Sequence, residues 1–107
     1  MLKKINRFHG HGSIRWVLAK GKTNRGRTMS LRYDQSQGGL KVAVVVSKKV
    51  AKSAVIRNRI RRRVYAIARE VLSPETVKGG YVFLVYSDEV ASLPHDVLRT
   101  QVIKLLP

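Results

Sequence analysis

A run of cationic side chains between residues 47 and 63 carries the clearest chemical signal in the sequence. Lysines open the run and arginines, with one asparagine, close it: Lys48, Lys49, Lys52, Arg57, Asn58, Arg59, Arg61, Arg62 and Arg63. The planar guanidinium fork donates two parallel hydrogen bonds to a phosphate and can stack on a base, which a lysine ammonium cannot do. The chemistry predicted for this segment is therefore recognition of a polyanion, not bond breaking.

Candidate residues for catalysis by the protein itself are sparse. The chain has six acids, spread as Asp34, Glu70, Glu75, Asp88, Glu89 and Asp96. These acids form no carboxylate pair of the kind that a nuclease using two metal ions needs. His9 and His11 lie among glycines without a third ligand nearby, so a transition-metal site is disfavoured. We expect neither a catalytic residue nor a metal site on this chain.

The overall charge points to the same kind of partner. Lys+Arg is 22 and Asp+Glu is 6 in 107 residues, a formal net charge of +16. A folded domain with this excess repels itself, so a polyanionic partner is the expected reason for it. Nucleic acid is the first candidate, because neutralised phosphates release counterions, and an anionic membrane surface is the second.

Location and domain organisation follow from composition. The longest uncharged apolar run, residues 81–86, is too short to span a bilayer, and the basic start lacks the apolar region of a secretory signal. The absence of cysteine excludes disulfides and fits a reducing cytoplasm. An acid-free start up to Asp34 also leaves an organelle transit peptide open. We expect one domain over residues 1–107, located in the cytoplasm.

The first half of the chain reads as a helix followed by strands. Residues 13–20 predict a short helix with Ser13 as N-cap, and the Gly-broken basic stretch 20–27 predicts a loop. Residues 28–33 alternate between polar and apolar, which is typical of a half-buried strand. Residues 34–39 then predict a hairpin connection, and the β-branched run 42–46 a central strand.

The second half contains the element that must position the cations. Residues 54–72 predict a long helix with Ser53 as N-cap and an apolar stripe of Ile56, Ile60, Val64, Ile67, Ala68 and Val71. A strand at 81–86 and a helix at about 94–106 follow, the helix with Val97, Leu98, Val102, Leu105 and Leu106 on one face. The aromatics Tyr81, Phe83 and Tyr86 are interpreted as packing residues. The order α-β-β-α-β-α, with a further strand left open before the long helix, predicts an α+β fold with a small, mainly antiparallel sheet.

Helical spacing sorts the arginines by direction. At about 100° per residue, Arg57 and Arg61 border one edge of the apolar stripe, and Arg59 and Arg63 border the other. Asn58, Arg62 and Arg69 face outward. A structural ribosomal RNA-binding protein fits this surface and composition as well as an RNA-processing factor does, whereas no helix-turn-helix spacing supports a DNA-binding module.

Specific motifs favour the processing factor. The segments Ser47-Lys48-Lys49, Ala54-Val55 and Arg57-Asn58-Arg59-Ile60-Arg61-Arg62 resemble the signature of the bacterial ribonuclease P protein family. The start Leu2-Lys3-Lys4-Ile5-Asn6-Arg7, Val17 with Lys20-Gly21, and residues 31–33 resemble that family too. The resemblance implies an αβ sandwich with a left-handed βαβ crossover. It also implies the protein subunit of a ribonucleoprotein endonuclease that removes the 5′ leader of precursor tRNA, with catalysis by the RNA subunit and Mg²⁺ held mainly by RNA.

The resemblance also assigns residues. It implies contacts to the ribonuclease P RNA from Lys48, Lys49, Lys52, Arg57, Asn58, Arg59 and Arg62. A cleft between the first helix and the sheet would receive the leader through Ile14, Leu18, Tyr33 and Arg61. Two positions where the family often has phenylalanine are Ile14 and Leu18 here, and Trp16 between them is open to either packing or RNA contact.

Overall fold

A four-stranded sheet with helices on both faces forms the fold. The computed structural model describes residues 11–35, 39–73 and 75–107, and for residues 11–14 it describes the backbone only. In chain order the elements are α1 (His11–Lys20), β1 (Lys22–Arg25), β2 (Met29–Asp34), β3 (Lys41–Val46), α2 (Ala54–Val71), β4 (Gly80–Val85), a 3₁₀ turn (Asp88–Ala91) and α3 (His95–Leu105). The strand order is β1-β2-β4-β3, and among the described strands only β3 and β4 pair in parallel. The predicted α+β class with a mainly antiparallel sheet is confirmed.

Strand β4 occupies the position that the sequence suggested for β3. The hairpin predicted at 34–39 is wrong, because β2 and β3 both pair with β4 and not with each other. The run 42–46 is therefore an edge strand of the described sheet, not a central one. In β4 both faces are apolar, with Tyr81, Val82 and Phe83 almost fully buried. Placing such a strand in the centre removes more apolar surface from water than placing it at an edge.

Strand β1 lies where a loop was expected. Residues 22–25 pair antiparallel with β2, from Lys22 opposite Tyr33 to Arg25 opposite Ser30. Three of the four β1 residues are exposed, so no hydrophobic alternation marks the strand. Only the hydrogen-bonding partner β2 makes it a strand, which is a non-local cause.

Two core clusters lie on opposite faces of the sheet. The larger one contains Leu31, Phe83 and Val44 from the strands and is covered by Ile60 of α2 and Leu98 of α3. The smaller one places Val17 of α1 against Ala43 and Val82, with Leu18 and Leu84 beside them. Strand β2 is consequently covered on both faces: Ser30, which pairs with Leu84 beside the smaller cluster, is buried although the polar alternation predicted a half-buried strand.

The helix boundaries match the sequence closely except at the start of α1. Ser53 caps α2 by accepting from the Ile56 backbone N–H at 3.4 Å, and Ile60, Val64, Ile67 and Ala68 are buried as predicted. Helix α1 begins at His11, so Ser13 lies within the helix and is not its N-cap. In α3, Val97 is 40% exposed, because Leu98, Val102 and Leu105 define the face that packs on the core. None of the helices in the described ranges is long and apolar enough to cross a membrane.

Candidate nucleic-acid interface

Helix α2 positions the arginine surface by burying its opposite side. Ile60, Val64 and Ile67 are fully buried against the sheet, so the rotation of the helix about its axis is fixed. The side chains that consequently face solvent are Asn58, Arg59, Arg62 and Arg69. The buried stripe thus orients the helix so that the guanidinium groups of Arg59, Arg62 and Arg69 remain exposed.

A lysine loop, residues 47–52, joins β3 to α2. The backbone N–H groups of Val50 and Ala51 donate to the Ser47 carbonyl at 3.1 and 3.4 Å, and Ala51 is buried. Lys48, Lys49 and Lys52 remain exposed. The buried Ala51 anchors the loop while the three ammonium groups point to solvent beside the start of α2.

Arg57 holds this lysine loop in place. One of its terminal guanidinium nitrogens, Nη1, donates to the carbonyls of Ala51 and Lys52, both at 2.8 Å. The side chain is half-buried, unlike those of Arg59 and Arg62. Arg57 is therefore a positioning residue for Lys52 and its neighbours, in addition to any contact that its remaining N–H groups make with RNA.

A shallow groove of about 440 Å³ runs along the outer side of α2. Its lining consists of Asn58, Arg61, Arg62, Tyr65 and Arg69. Arg61 donates to the Asn58 side-chain oxygen, which orients both groups, and the Tyr65 hydroxyl donates to the Val42 carbonyl at 3.4 Å. Several guanidinium groups around a phenol ring suit an RNA backbone with an accessible base.

Arg63 has a structural role that helical spacing could not indicate. Its guanidinium donates to the carbonyls of Val90 and Leu93, which ties the 3₁₀ turn and the chain after it to α2. Desolvation by burial lowers the pKa of the Arg63 guanidinium below its usual value, and the positive charge of Arg59 lowers it further. Although Arg59 and Arg63 were predicted on the same edge of the stripe, only Arg59 is exposed.

The structure does not bring Leu18, Tyr33 and Arg61, three of the residues assigned to a leader cleft, together. Tyr33 is 9% exposed and belongs to the larger core cluster, where its ring stacks on Tyr81 with centroids 6.2 Å apart. Leu18 belongs to the smaller cluster on the opposite face of the sheet. Arg61 lies in the groove on α2, and the Ile14 side chain lies outside the described residues, as do His9 and the His11 side chain.

The space beside α1 contains Arg32, for which no role was predicted, and Trp16, which was open to either packing or RNA contact. Arg32 is half-buried there and donates from Nη2 to the Gly21 carbonyl at 3.1 Å. Trp16 is 46% exposed and donates from Nε1 to the Asp34 carboxylate at 2.6 Å. The alternation of β2 could have identified Arg32, since it predicts that Arg32 and Tyr33 point to opposite faces.

Comparison with known proteins decides the family. A family model described as Ribonuclease P matches residues 2–107. A ribonuclease P protein component from Pseudanabaena is 39% identical over 97 residues, which cover 89% of this chain and 82% of the relative. The chain belongs to the ribonuclease P protein family. A ribonuclease P protein component from Thermus brockianus is 42% identical over 77 residues, but these cover 63% of this chain and 46% of that relative.

Solved structures of ribonuclease P proteins share the fold. The Thermotoga maritima protein matches with a TM-score of 0.78 and 18% identity, over 94% of each chain. A Staphylococcus aureus RNase P protein matches with a TM-score of 0.75 and 13% identity, over 94% of this chain and 91% of that one. The family predicted from the motifs is confirmed, and so is the function as protein subunit of the ribonuclease P endonuclease. The alternative of a structural ribosomal protein gains no support.

Proposed function

We propose that this chain binds the catalytic RNA subunit of ribonuclease P through the lysine loop and the outer side of α2. The observation that carries the proposal is the exposure of the three lysines of the lysine loop next to Asn58, Arg59 and Arg62. The buried stripe of α2 orients the helix, and Arg57 holds the loop. The complete set of proposed RNA-subunit contacts is Lys48, Lys49, Lys52, Arg57, Asn58, Arg59 and Arg62. This surface pairs many cations with a groove, which suits phosphates along a folded RNA.

We further propose that the chain assists removal of the 5′ leader from precursor tRNA in the cytoplasm. The single-stranded leader would lie beside α1, contacted by Ile14 and Leu18, whereas Arg61, the fourth residue that the resemblance assigns to the leader, lies in the groove on α2. Arg32 supports this placement because its guanidinium lies between α1 and the sheet, where it would bind a phosphate of the leader. Tyr33 offers the leader little ring surface, since its ring is stacked on Tyr81.

In this proposal the RNA subunit, and not the protein chain, performs catalysis and binds the metal ions. In the described ranges, no three of the side chains that commonly bind metals come together. Glu70 pairs with Arg99 at 3.3 Å, and Asp34 accepts from Trp16. These carboxylates do not fit a magnesium site, so Mg²⁺ would be held mainly by phosphates of the RNA partner.

A reconstituted cleavage assay tests the proposal. The full chain, a bacterial ribonuclease P RNA and precursor tRNA are combined at low magnesium, with the chain alone and the RNA alone as controls. We expect leader removal only when chain and RNA are both present, because the chain supplies cations in place of magnesium. Cleavage by the chain alone after nuclease-free purification, or no stimulation of the RNA, would contradict the proposal.

Two arginines four positions apart on α2 separate RNA binding from stability. Arg59→Ala removes an exposed guanidinium, so affinity for ribonuclease P RNA should fall by about 1–3 kcal/mol with little change in stability. Arg63→Ala removes the donor to the partly buried carbonyls of Val90 and Leu93, so the free energy of unfolding should fall by about 1–3 kcal/mol. Filter binding and urea denaturation of both variants give the two quantities. The reverse pattern, with Arg59→Ala unstable and Arg63→Ala weak in binding, would contradict both assignments.

A further inference from the structure

Three separate segments meet at one edge of the sheet, here called the carboxyl edge because β3 and β4 end there. Val46 of β3 pairs with Val85 of β4, and Val85 pairs with Met29 at the start of β2. Arg25, the last residue of β1, pairs with Ser30. The turn between β1 and β2, the residue after β4 and the lysine loop after β3 therefore emerge side by side.

Tyr86 lies in the middle of the carboxyl edge with half of its surface open to solvent. It directly follows β4, and it is 50% exposed, which contradicts its interpretation as a packing residue. Its backbone N–H donates to the Thr28 carbonyl at 3.0 Å, and its hydroxyl donates to the Gly26 carbonyl. Anchored at both ends, the ring presents a fixed aromatic surface that loses little entropy when a base stacks on it.

Positive charge flanks Tyr86 on both sides. On one side the β1–β2 turn contributes Arg25 and Arg27, both exposed, and on the other side lies the lysine loop. Neighbouring strands are about 4.8 Å apart, so the edge from β1 to β3 measures about 15 Å. This length suits a short stretch of single-stranded RNA.

Acidic residues near the carboxyl edge do not cancel this charge. Asp96 of α3 lines a cavity with Arg25 and Arg27, but among the described residues it forms no ion pair with either of them. Asp88 and Glu89 follow Tyr86 in the 3₁₀ turn, which is tied toward α2 by the bond from Arg63 to the Val90 carbonyl. Glu89 approaches Arg27 at 3.9 Å, but the Arg27 side chain is 81% exposed, and exposed ion pairs of this kind bind weakly. The Arg27 guanidinium therefore stays accessible to a phosphate.

We propose that the carboxyl edge is a second RNA-contact surface, continuous with the lysine loop, on which an unstacked base packs against Tyr86 while Arg25 and Arg27 bind flanking phosphates. The inference rests on the proposed function, since it takes ribonuclease P RNA or precursor tRNA as the source of that nucleotide. It adds to that function an aromatic contact at a part of the sheet remote in sequence from the α2 arginines.

Substitutions at Tyr86 test the stacking contact. Both variants lose the hydroxyl bond to the Gly26 carbonyl and keep the backbone bond to Thr28, so they differ mainly in the ring: Tyr86→Phe keeps it, and Tyr86→Leu keeps apolar bulk without a π-face. Dissociation constants are measured for ribonuclease P RNA with each full-length variant, and for precursor tRNA with each reconstituted complex. We expect Tyr86→Leu to weaken binding of one of the two RNAs by about tenfold, and Tyr86→Phe to stay within about twofold of wild type. The RNA that loses affinity identifies the source of the nucleotide, and equal affinities of the Phe and Leu variants for both RNAs would overturn the proposal.

A second pair of variants tests the phosphate contacts independently of Tyr86. Arg27→Gln removes a charge at the carboxyl edge, whereas Lys78→Gln removes one from an exposed residue just before β4, at the opposite edge. The slope of log affinity against log salt should become shallower by about one for Arg27→Gln and stay nearly unchanged for Lys78→Gln. Equal slopes for the two variants would overturn the proposal. If the wild-type chain itself fails to bind ribonuclease P RNA, it is the proposed function that fails, and this outcome is visible before any variant is compared.

Discussion

The affinity of this chain for ribonuclease P RNA is expected to fall by about two to four orders of magnitude when salt rises from about 50 to about 200 mM. The net charge of +16 and the exposed lysines and arginines around α2 support roughly five to eight phosphate contacts. Each neutralised phosphate contributes about −0.7 to −0.9 to the slope of log affinity against log salt, so the slope should be about −3 to −7. Filter binding over a salt series measures it directly.

A titration with sucrose at matched osmolality controls for changes in water activity, because sucrose screens no charge. Affinity should be nearly constant in that series. A slope near zero in the salt series would contradict the electrostatic mode of binding, even if the RNA still binds.

Replacing Tyr33 by alanine is expected to lower the free energy of unfolding by about 3–5 kcal/mol, as for other large aromatic residues in a core. Tyr33 lies in the larger core cluster and stacks on Tyr81. Its strand, β2, pairs with β1 on one side and with β4 on the other. Urea denaturation measures the loss. Tyr86→Ala is the matched control, since it truncates a half-exposed tyrosine and should cost far less stability.

The same Tyr33 variant decides its role in leader binding. If Tyr33 is a core residue, the fraction of Tyr33→Ala protein that stays folded should lose affinity for precursor tRNA and for mature tRNA by similar factors relative to wild type. A stable Tyr33→Ala protein that loses affinity for precursor tRNA alone would instead support the leader contact implied by the family resemblance.

Residues with local causes were predicted correctly from the sequence. The stripe Ile60, Val64 and Ile67 repeats at helical spacing, and Ser53 precedes it with a side chain that caps a free N–H group. Helix formation and capping depend on neighbours within about four residues, so the sequence contains the whole cause. For the same reason the exposure of Asn58, Arg62 and Arg69 followed from the position of the stripe.

Two arginines show where local spacing stops being informative. Arg57 and Arg63 border the stripe much as Arg59 and Arg61 do, yet Arg57 binds the loop before its own helix and Arg63 binds carbonyls about 30 residues away. A guanidinium is long enough to reach backbone groups that other elements bring near. Which of these four arginines is free for RNA therefore depends on tertiary packing.

The sequence by itself determined the basic character of this protein, its helices, the identity of its family motifs and the outward direction of Asn58, Arg62 and Arg69. The tertiary structure decided the strand order, the existence of β1, the burial of Tyr33 and the position of Tyr86 between two groups of cations. Strand pairing selects partners far apart in the chain, and its outcome depends on how much apolar surface each complete arrangement buries. Strand β1 exists only when β2 is held beside it in the sheet by β4. The second face of β2 is covered only when α1 packs on the sheet, so no local sequence pattern could predict either feature.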